Sequence, residues 1–146
     1  MSFEYITFKS VPEGAILESL LLLHKNIFGE SDNLIKDMES KSNILILAAI
    51  NDSKVIGYKI GYDLDHTKFY SWLGGVDNHF RKHGVGSKLM ETQHQYLKEN
   101  GYKIVQTKSM NKWRNMLLLN IKTGFDVVGT ELDKNGEIKI ILEKPL

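Results

Sequence analysis

Two glycines, Gly84 and Gly86, stand between an apolar run and a long amphipathic segment, and they constrain the fold more than any other feature. The apolar run covers 69–76, and the amphipathic segment covers 85–99. A helix that begins at this junction presents backbone N–H groups without intrahelical partners, and its dipole favours negative charge. Glycine also lets a ligand approach the backbone closely. The sequence therefore predicts a phosphate-binding loop between a strand and a helix.

Length and composition are those of an ordinary globular domain. The chain has 146 residues, 42% of them hydrophobic and 25% charged, so we expect one domain over 1–146. The formal net charge of +1 gives no support for a nucleic-acid partner. The absence of cysteine excludes disulfides, cysteine-based zinc sites and thiol nucleophiles. Because the sequence shows neither a signal pattern nor an apolar run of membrane length, we expect a cytoplasmic protein with no membrane partner.

Hydrophobic periodicity predicts the element order β-α-α-β-β-β-α-β-α-β-β. The predicted strands cover 3–9, 44–50, 55–62, 68–76, 102–109, 125–132 and 137–143. The first helix begins at Pro12 and ends before Gly29, and Ser31 or Asp32 caps a short second helix. The remaining helices cover 85–99, with Val85, Leu89, Met90, Tyr96 and Leu97 on its apolar face, and 113–123.

The lengths of the connections predict an α/β fold with a mixed sheet. The strands within 44–76 are joined by turns too short for a crossover, which predicts an antiparallel meander. Strands 68–76 and 102–109 flank the helix over 85–99, so as neighbours they form a right-handed parallel βαβ unit. The glycine loop then follows the carboxyl end of a strand, where ligands bind in open α/β sheets.

Two familiar nucleotide-binding loops do not match these glycines. A P-loop requires Gly-x-x-x-x-Gly-Lys-Ser/Thr, whereas Gly86 is followed by Ser87 and Lys88 in the reverse order. A dinucleotide fingerprint requires a third glycine where Leu89 stands. The sequence therefore favours another phosphate-bearing ligand.

The segment from Val76 to Leu89 resembles the acetyl-CoA loop of the GNAT-type N-acetyltransferases. The family pattern is Val-x-x-x-x-Arg/Gln-x-x-Gly-x-Gly/Ala, and Val76, Arg81, Gly84 and Gly86 fill its fixed positions. The predicted element order resembles the whole GNAT acyl-CoA N-acyltransferase fold. The family's frequent proline two residues after the valine is Asn78 here, which alters loop stiffness but not the N–H donors.

This resemblance implies the cofactor and the residues that bind it. The CoA pyrophosphate is expected on the backbone N–H groups of 82–87, with Arg81 adding charge or bracing the loop. The pantetheine arm is expected to pair with the main chain of 74–76, where the double glycine is alternatively a bulge that opens a gap. Ser87 either contacts a phosphate oxygen or caps the helix. The predicted cofactor-binding residues are Gly74, Gly75, Val76, Arg81, Lys82, His83, Gly84, Val85, Gly86, Ser87, Asn115 and Asn120.

A second stretch, Asn115 to Phe125, is similar to the family's other cofactor helix, which ends in Tyr-x-x-x-Gly-Phe or Asn-x-x-x-Gly-Phe. Asn120 stands where the family often has a tyrosine that protonates the departing thiolate. It can bond to the sulfur but cannot act as an acid, so either the thiolate leaves unaided or another group, Tyr70, Ser109 or water, serves. The asparagine that often starts the motif aligns with Trp113, and the nearest substitutes are Asn111 and Asn115.

The remaining chemistry implied by the resemblance is direct acetyl transfer within a ternary complex. The backbone N–H near Val76 is the expected oxyanion donor. The amine must lose a proton, but no base is evident. The carboxylates and the histidine near the site are more often solvated than catalytic: Glu39, Asp63, Asp65, Asp77 and His79.

Other chemistry-bearing residues receive ordinary interpretations. His79 and His83 are four residues apart, but they lie in a turn without an evident third ligand, so we predict no metal. Trp72 and Trp113 are expected in the core or in a pocket wall.

The predicted function is N-acetyltransferase activity on a small-molecule or peptide amine, with acetyl-CoA as co-substrate. The alternative is a GNAT-fold domain that binds acyl-CoA as a sensor with little turnover. Dimers are common in the family, and strands 125–143 offer an edge for a homodimer.

Overall fold

The computed structural model describes residues 3–146; Met1 and Ser2, the first residues of the predicted domain, lie outside the described part. Within residues 3–146, one sheet of seven strands carries the fold. The strands are β1 (Glu4–Phe8), β2 (Leu45–Asn51), β3 (Lys54–Asp63), β4 (Lys68–Val76), β5 (Ile104–Ser109), β6 (Asp126–Leu132) and β7 (Ile138–Pro145). The helices are α1 (Gly14–Phe28), α2 (Leu34–Glu39), α3 (Val85–Glu99) and α4 (Arg114–Lys122), with a 3-10 turn at Asn78–Phe80. The predicted element order is therefore confirmed.

The strand order across the sheet is β1-β2-β3-β4-β5-β7-β6. Neighbouring strands are antiparallel except for β4 and β5, which are parallel, so the predicted meander and the predicted βαβ unit are both present. The sheet is mixed, and the predicted α/β fold class is correct. Among the described residues, none of the helices combines the length and the apolar character that crossing a bilayer requires.

The two faces of the sheet are covered by different helices. Helices α1 and α2 bury Leu20 and Met38 against Tyr58 and Ile60 of β3. Helix α3 covers the opposite face, where Val85 and Leu89 pack on Leu47, Ala49 and Ile56. We call these the α1 face and the α3 face. The strands between them are nearly continuous apolar runs because both of their faces are buried.

Local signals in the sequence set several boundaries. Gly29 ends α1 with a φ of 91°, and its N–H donates to the Lys25 carbonyl at 2.7 Å. Pro12 precedes the helix instead of opening it, since α1 begins at Gly14. In the β6–β7 hairpin the Asp133 carboxylate accepts from the N–H groups of Asn135 and Glu137 at 2.8 and 2.9 Å.

The predicted apolar face of α3 is partly wrong. Gln93 and His94 are buried, with 0% and 9% of their surface exposed, whereas Met90 and Tyr96 are only half-buried. Position 93 falls four residues after Leu89, on the stripe that faces the sheet. Helical geometry thus buries a polar side chain that a search for apolar residues passes over.

Candidate functional site

The glycine loop connects β4 to α3 through a tightly held turn. The Asp77 carboxylate accepts from the N–H of His79 at 2.8 Å and caps the 3-10 turn. Beyond it Lys82 and Gly84 have φ values of +67° and +77°, and residues 81–84 are exposed. Only glycine adopts such a φ without strain, which is why Gly84 is suited to this position. Asp77 is therefore occupied as a structural cap and is not a free base.

Helix α3 starts at this loop because Val85 is an apolar anchor. Its side chain is 1% exposed within the cluster under α3. Intrahelical bonding begins with the Lys88 N–H, which donates to the Gly84 carbonyl at 3.0 Å, so the preceding N–H groups have no helical partner. Gly84 is the N-cap and no side chain caps the helix; Ser87 lies exposed in the first turn.

Gly86 exposes the main chain at the start of α3, although the packing around it would accommodate a side chain. A Cβ added there would meet only Val76 Cγ2, at an ordinary 3.8 Å. The absence of a side chain thus leaves space at the helix N-terminus that a ligand can fill. The loop fits a pyrophosphate on this criterion.

Strands β4 and β5 pair only at their amino ends and then diverge. Their parallel ladder joins Lys68–Tyr70 to Ile104–Gln106, and at its end the Thr107 hydroxyl donates to the Ser71 carbonyl at 3.2 Å. Beyond this point β4 continues to Val76 paired with β3, and β5 continues to Ser109 paired with β7. A gap therefore opens between β4 and β5 beside the glycine loop.

Two amides of β4 point into this gap. The Asp77 N–H donates to the Ile56 carbonyl at 2.7 Å, on the side of β3. Because successive amides along a strand alternate between its two edges, the N–H groups of Val76 and Gly74 point away from β3. The exposed edge of β4 thus offers main-chain donors where the sequence places the pantetheine arm and the oxyanion donor.

The bulge that accompanies the gap lies at Trp72, not at the double glycine that sequence analysis suggested. Ile60 pairs with Leu73 and Gly61 pairs with Ser71, which leaves Trp72 as the extra residue. Gly74 and Gly75 are in regular register with β3. Gly75 has a packing role, because a Cβ there would lie 2.5 Å from Ile27 Cδ1 of α1.

A cleft of about 440 Å³ lies between α3, α4 and the carboxyl end of β7. Gly86 and Ser87 lie at one end of its lining, and His94 with Lys144 of β7 line it further along. The Lys144 ammonium donates to His94 Nδ1 at 3.3 Å, so Nδ1 must be unprotonated and Nε2 carries the hydrogen. Burial and the charges of Lys144 and Lys59 lower the pKa of His94 to about 3.

Sequence analysis missed four polar residues on the side of the sheet that α3 covers, Lys59, Gln93, His94 and Lys144. Lys59 lies on β3 beside Gly74, and burial lowers the pKa of its ammonium to about 8. The Ser109 hydroxyl, both amide atoms of Gln93 and the Nε2 of His94 are buried without hydrogen-bond partners among residues 3–146. The available signal was the interruption of apolar patterns by polar residues, since each of these positions lies on a strand or a helix stripe that faces the core.

Helix α4 brings Asn120 inward and leaves its other predicted residues outside. Asn120 is 4% exposed, while Asn111 and Asn115 are exposed. Trp113 is 47% exposed, with Lys112 and Lys139 against its ring, so it does not lie in the core. Of the candidates on this helix, Asn120 has the burial expected of a residue that faces a bound ligand.

The candidate bases on the α1 face are engaged in structure. The Asp65 carboxylate accepts from the Thr67 hydroxyl and from the N–H groups of Thr67 and Lys68, each at 2.8 Å, and these bonds lower its pKa. Asp63 accepts from Asn43 Nδ2 at 2.6 Å. Burial raises the pKa of Tyr70 to about 12, so this phenol keeps its proton.

The two histidines of the loop do not form a metal site. His79 is exposed with its ring 3.1 Å from the Asp77 carboxylate, and the ring of His83 lies 6.4 Å from that of Phe3. Within residues 3–146 no three potential metal ligands come together.

Comparison with known proteins agrees with this geometry. The model of the acetyltransferase (GNAT) family matches residues 16–114. A GNAT family acetyltransferase from Elizabethkingia anophelis, solved with acetyl-CoA bound, is 20% identical, with 97% of this chain and 98% of that chain covered and a TM-score of 0.76. The ribosomal-protein-S18-alanine N-acetyltransferase from Escherichia coli is 15% identical over 97% of this chain and 94% of that chain, with a TM-score of 0.78.

An aminoglycoside 6'-N-acetyltransferase complexed with coenzyme A is 13% identical, with 96% of both chains covered and a TM-score of 0.78. At these identities the structures establish the shared fold, and the family match rests on the sequence model. A comparison with curated proteins gives no match.

Proposed function

Because the chain belongs to the GNAT acetyltransferase family, we propose that it moves an acetyl group from acetyl-CoA to the nitrogen of a small-molecule or peptide amine. The observation that carries the proposal is the position of the bare glycine loop at 84–86, directly beside the unpaired edge of β4. A pyrophosphate at a helix N-terminus and a thioester arm along a strand edge require both features together.

The loop and the strand edge divide the binding of acetyl-CoA between them. The N–H groups of 82–87 bind the pyrophosphate, and the side chains of Arg81 and Lys82 add positive charge at the exposed surface. The edge of β4 at 74–76 pairs with the amides of the pantetheine arm as an added strand would. Ser87 and Lys144, which line the cleft, supply polar contacts along it.

Acetyl-CoA, when bound, supplies a thioester whose carbonyl carbon an amine can attack directly. The Val76 N–H donates to the carbonyl oxygen and stabilises the negative charge that develops there. The amine must be neutral to attack. Since Asp63, Asp65 and Asp77 are each held in hydrogen bonds and Glu39 lies exposed at the end of α2, the proposal has the amine lose its proton to solvent.

Asn120 is proposed to donate its side-chain amide to the departing sulfur. An amide cannot protonate a thiolate, but a hydrogen bond stabilises it, and a thiol pKa near about 8.5 makes the thiolate a fair leaving group unaided. Asn120→Ala is therefore expected to lower kcat by about tenfold to a hundredfold, the loss of one hydrogen bond to charge, with little change in acetyl-CoA affinity. Steady-state kinetics with calorimetry checks this, and unchanged turnover together with unchanged affinity removes Asn120 from the mechanism.

The same residue supports a second candidate function. A domain that has asparagine where the family often has an acidic hydroxyl is suited to hold acyl-CoA as a sensor with little turnover. Both functions require the donor site, and only the first requires an acceptor pocket.

Calorimetry with acetyl-CoA followed by thiol release against a panel of amines distinguishes the candidates. Binding together with amine-dependent thiol release supports the acetyltransferase. Binding without release across the panel favours the sensor, and no binding at about millimolar acetyl-CoA overturns both.

We also propose a homodimer through the free edge of β6. This strand ends the sheet, and Val127, Val128 and Leu132 expose 53%, 56% and 71% of their surface. An apolar edge strand is a template for pairing with a second strand. Light scattering tests the assembly, and a monomer at about 100 times the assay concentration would contradict it.

A further inference from the structure

Three aromatic rings line the α1 face of the sheet where β4 and β5 separate. Tyr62 of β3 lies against Tyr70 and Trp72 of β4, with ring centroids 5.5 and 5.7 Å apart. All three side chains are half-buried. Trp72 precedes Gly74 by two residues, about 7 Å along the strand, so the cluster lies next to the amides assigned to the reacting carbonyl. We call these three residues the aromatic wall.

Two lysine ammonium groups already occupy the faces of the aromatic wall. Lys41 Nζ lies 4.8 Å from the ring centroid of Tyr62 and 4.9 Å from that of Trp72. Lys108 Nζ lies 5.6 Å from the ring of Tyr70. These are cation–π distances. A positively charged substituent on the acceptor would meet like charge here, because the ring faces are taken.

Lys108 and Lys41 differ in whether a carboxylate lies beside the ammonium group. Lys108 forms an ion pair with Glu131 of β6 at 2.6 Å. Within residues 3–146, no carboxylate lies within 4.0 Å of Lys41 Nζ. An ammonium is a donor-only group, so what this position lacks is an anionic acceptor.

Lys41 is held in place by the end of α2. Its N–H donates to the carbonyl of Met38 at 3.1 Å, and Met38 is fully buried. The next residues are tied to the end of β3, since the Asp63 N–H donates to the Ser42 carbonyl at 3.1 Å and Asn43 donates to the Asp63 carboxylate. The side chain therefore projects over the rings from a fixed backbone.

We propose that the acceptor is an amine that also carries a carboxylate, and that Lys41 binds this carboxylate above the aromatic wall. This inference rests on the proposed acetyltransferase function and adds the substrate class. The carboxylate pairs with the Lys41 ammonium, and the amine is left to face the gap between β4 and β5. Lys41 is thus a specificity-determining residue that contacts substrate without reacting.

The test compares amines that differ only in the carboxylate. Phenylalanine is paired with phenethylamine, and γ-aminobutyrate with propylamine; a peptide source is tested with Ala-Asp amide against Ala-Asn amide. Thiol release is measured for the wild type, Lys41→Met and Lys41→Arg. The matched control is Lys36→Met, at an exposed position of α2. We expect the carboxylate to raise kcat/KM in at least one pair by about tenfold or more, the size of one charge-assisted hydrogen bond.

Lys41→Met is expected to abolish this preference by raising KM for the carboxylate-bearing member, whereas Lys41→Arg and Lys36→Met retain it. Equal kcat/KM within every pair overturns the proposal. So does a Lys41→Met variant that improves the carboxylate-free amine, since that result would mean that Lys41 competes with an ammonium.

A binding measurement keeps the test decisive if no amine turns over. In a Trp113→Phe background Trp72 is the only tryptophan, so its fluorescence reports on the aromatic wall. With CoA bound, titration with phenylalanine should change this signal at a concentration about tenfold lower than phenethylamine. CoA binding without such a preference overturns the acceptor class alone, whereas failure to bind CoA overturns the proposed function itself.

Discussion

The two faces of β4 differ in what they are made of. On the α3 face the proposed donor site consists of main-chain N–H groups from consecutive residues, 82–87, and from the edge of the same strand. On the α1 face the proposed acceptor pocket consists of side chains from separate parts of the chain, Lys41, Tyr62, Trp72 and Lys108. A site made of backbone leaves a compact motif in the sequence, whereas one made of distant side chains leaves none.

The difference also determines how each site can be altered. On the donor side, an added side chain would block the ligand from the main-chain N–H groups. Substitutions of the glycines there should therefore reduce acetyl-CoA affinity most. The acceptor side depends on charge and on ring faces, which are exchanged without moving the backbone. Substitutions on the two faces should therefore separate donor affinity from acceptor choice, and from stability.

The largest effect is expected at Gly86. Gly86→Val places a branched side chain in the cleft at the head of α3, where it has room in the free protein and none beside a bound pyrophosphate. We expect acetyl-CoA affinity to fall by about a hundredfold or more, measured by calorimetry. Lys88→Val, on the same helix, is the control for β-branching and should bind normally. Normal affinity in the glycine variant would remove the loop from the donor site.

The next effect concerns His94, which lines the cleft between α3 and α4. His94 has a pKa of about 3 when folded and an ordinary value near about 6.5 when unfolded, so the unfolded chain binds more protons between these values. Stability is then complete above the higher value and falls as the pH drops toward the lower one. We expect the wild type to lose about 2 kcal/mol more than His94→Leu between pH 7 and about pH 4.5, by urea denaturation. The exposed His66→Leu control should retain the wild-type slope.

A smaller effect is expected at Gly75, whose Cα faces α1, whereas that of Gly74 faces Lys59 on the other side of the sheet. Gly75→Ala directs its Cβ at Ile27 on the α1 face and should lower the free energy of unfolding by about 1–2 kcal/mol, with acetyl-CoA affinity retained. Adding Ile27→Val deletes the nearest atom, so the double variant should be more stable than the sum of the single effects predicts. Strict additivity in this cycle would contradict the assigned contact.

The smallest effect is expected for the paired lysine of the acceptor side. Lys108→Met breaks its ion pair with Glu131, but both side chains are about one-third or more exposed. Such pairs contribute little, and we expect a change of less than about 1 kcal/mol in the free energy of unfolding. A larger loss of stability would mean that the Lys108–Glu131 ion pair stabilises this face of the fold, so that its charges could not be exchanged freely.

Much of the fold was predictable because its signals are local. The strand and helix order, the end of α1 at Gly29 and the Asp133 turn follow from periodicity and from residues whose backbone preferences are strong. The bulge at Trp72 was not predictable, since it depends on how two strands pair, and the double glycine nearby drew the prediction to the wrong position. The burial of Gln93 follows from helical spacing, whereas that of His94 depends on α4 and β7, which lie across the cleft from it.

The prediction of a phosphate-binding loop required only the sequence. Val76, Arg81, Gly84 and Gly86 are close along the chain, and the strand-to-helix junction they form is built from the same short segment. The position of Lys41 over rings of β3 and β4 depends on the packing of distant elements, and so does the absence of a carboxylate within 4.0 Å of its ammonium among residues 3–146. The physical reason is that a helix terminus is specified locally by its own backbone, whereas the partner of a side-chain charge is set by whichever elements folding brings beside it.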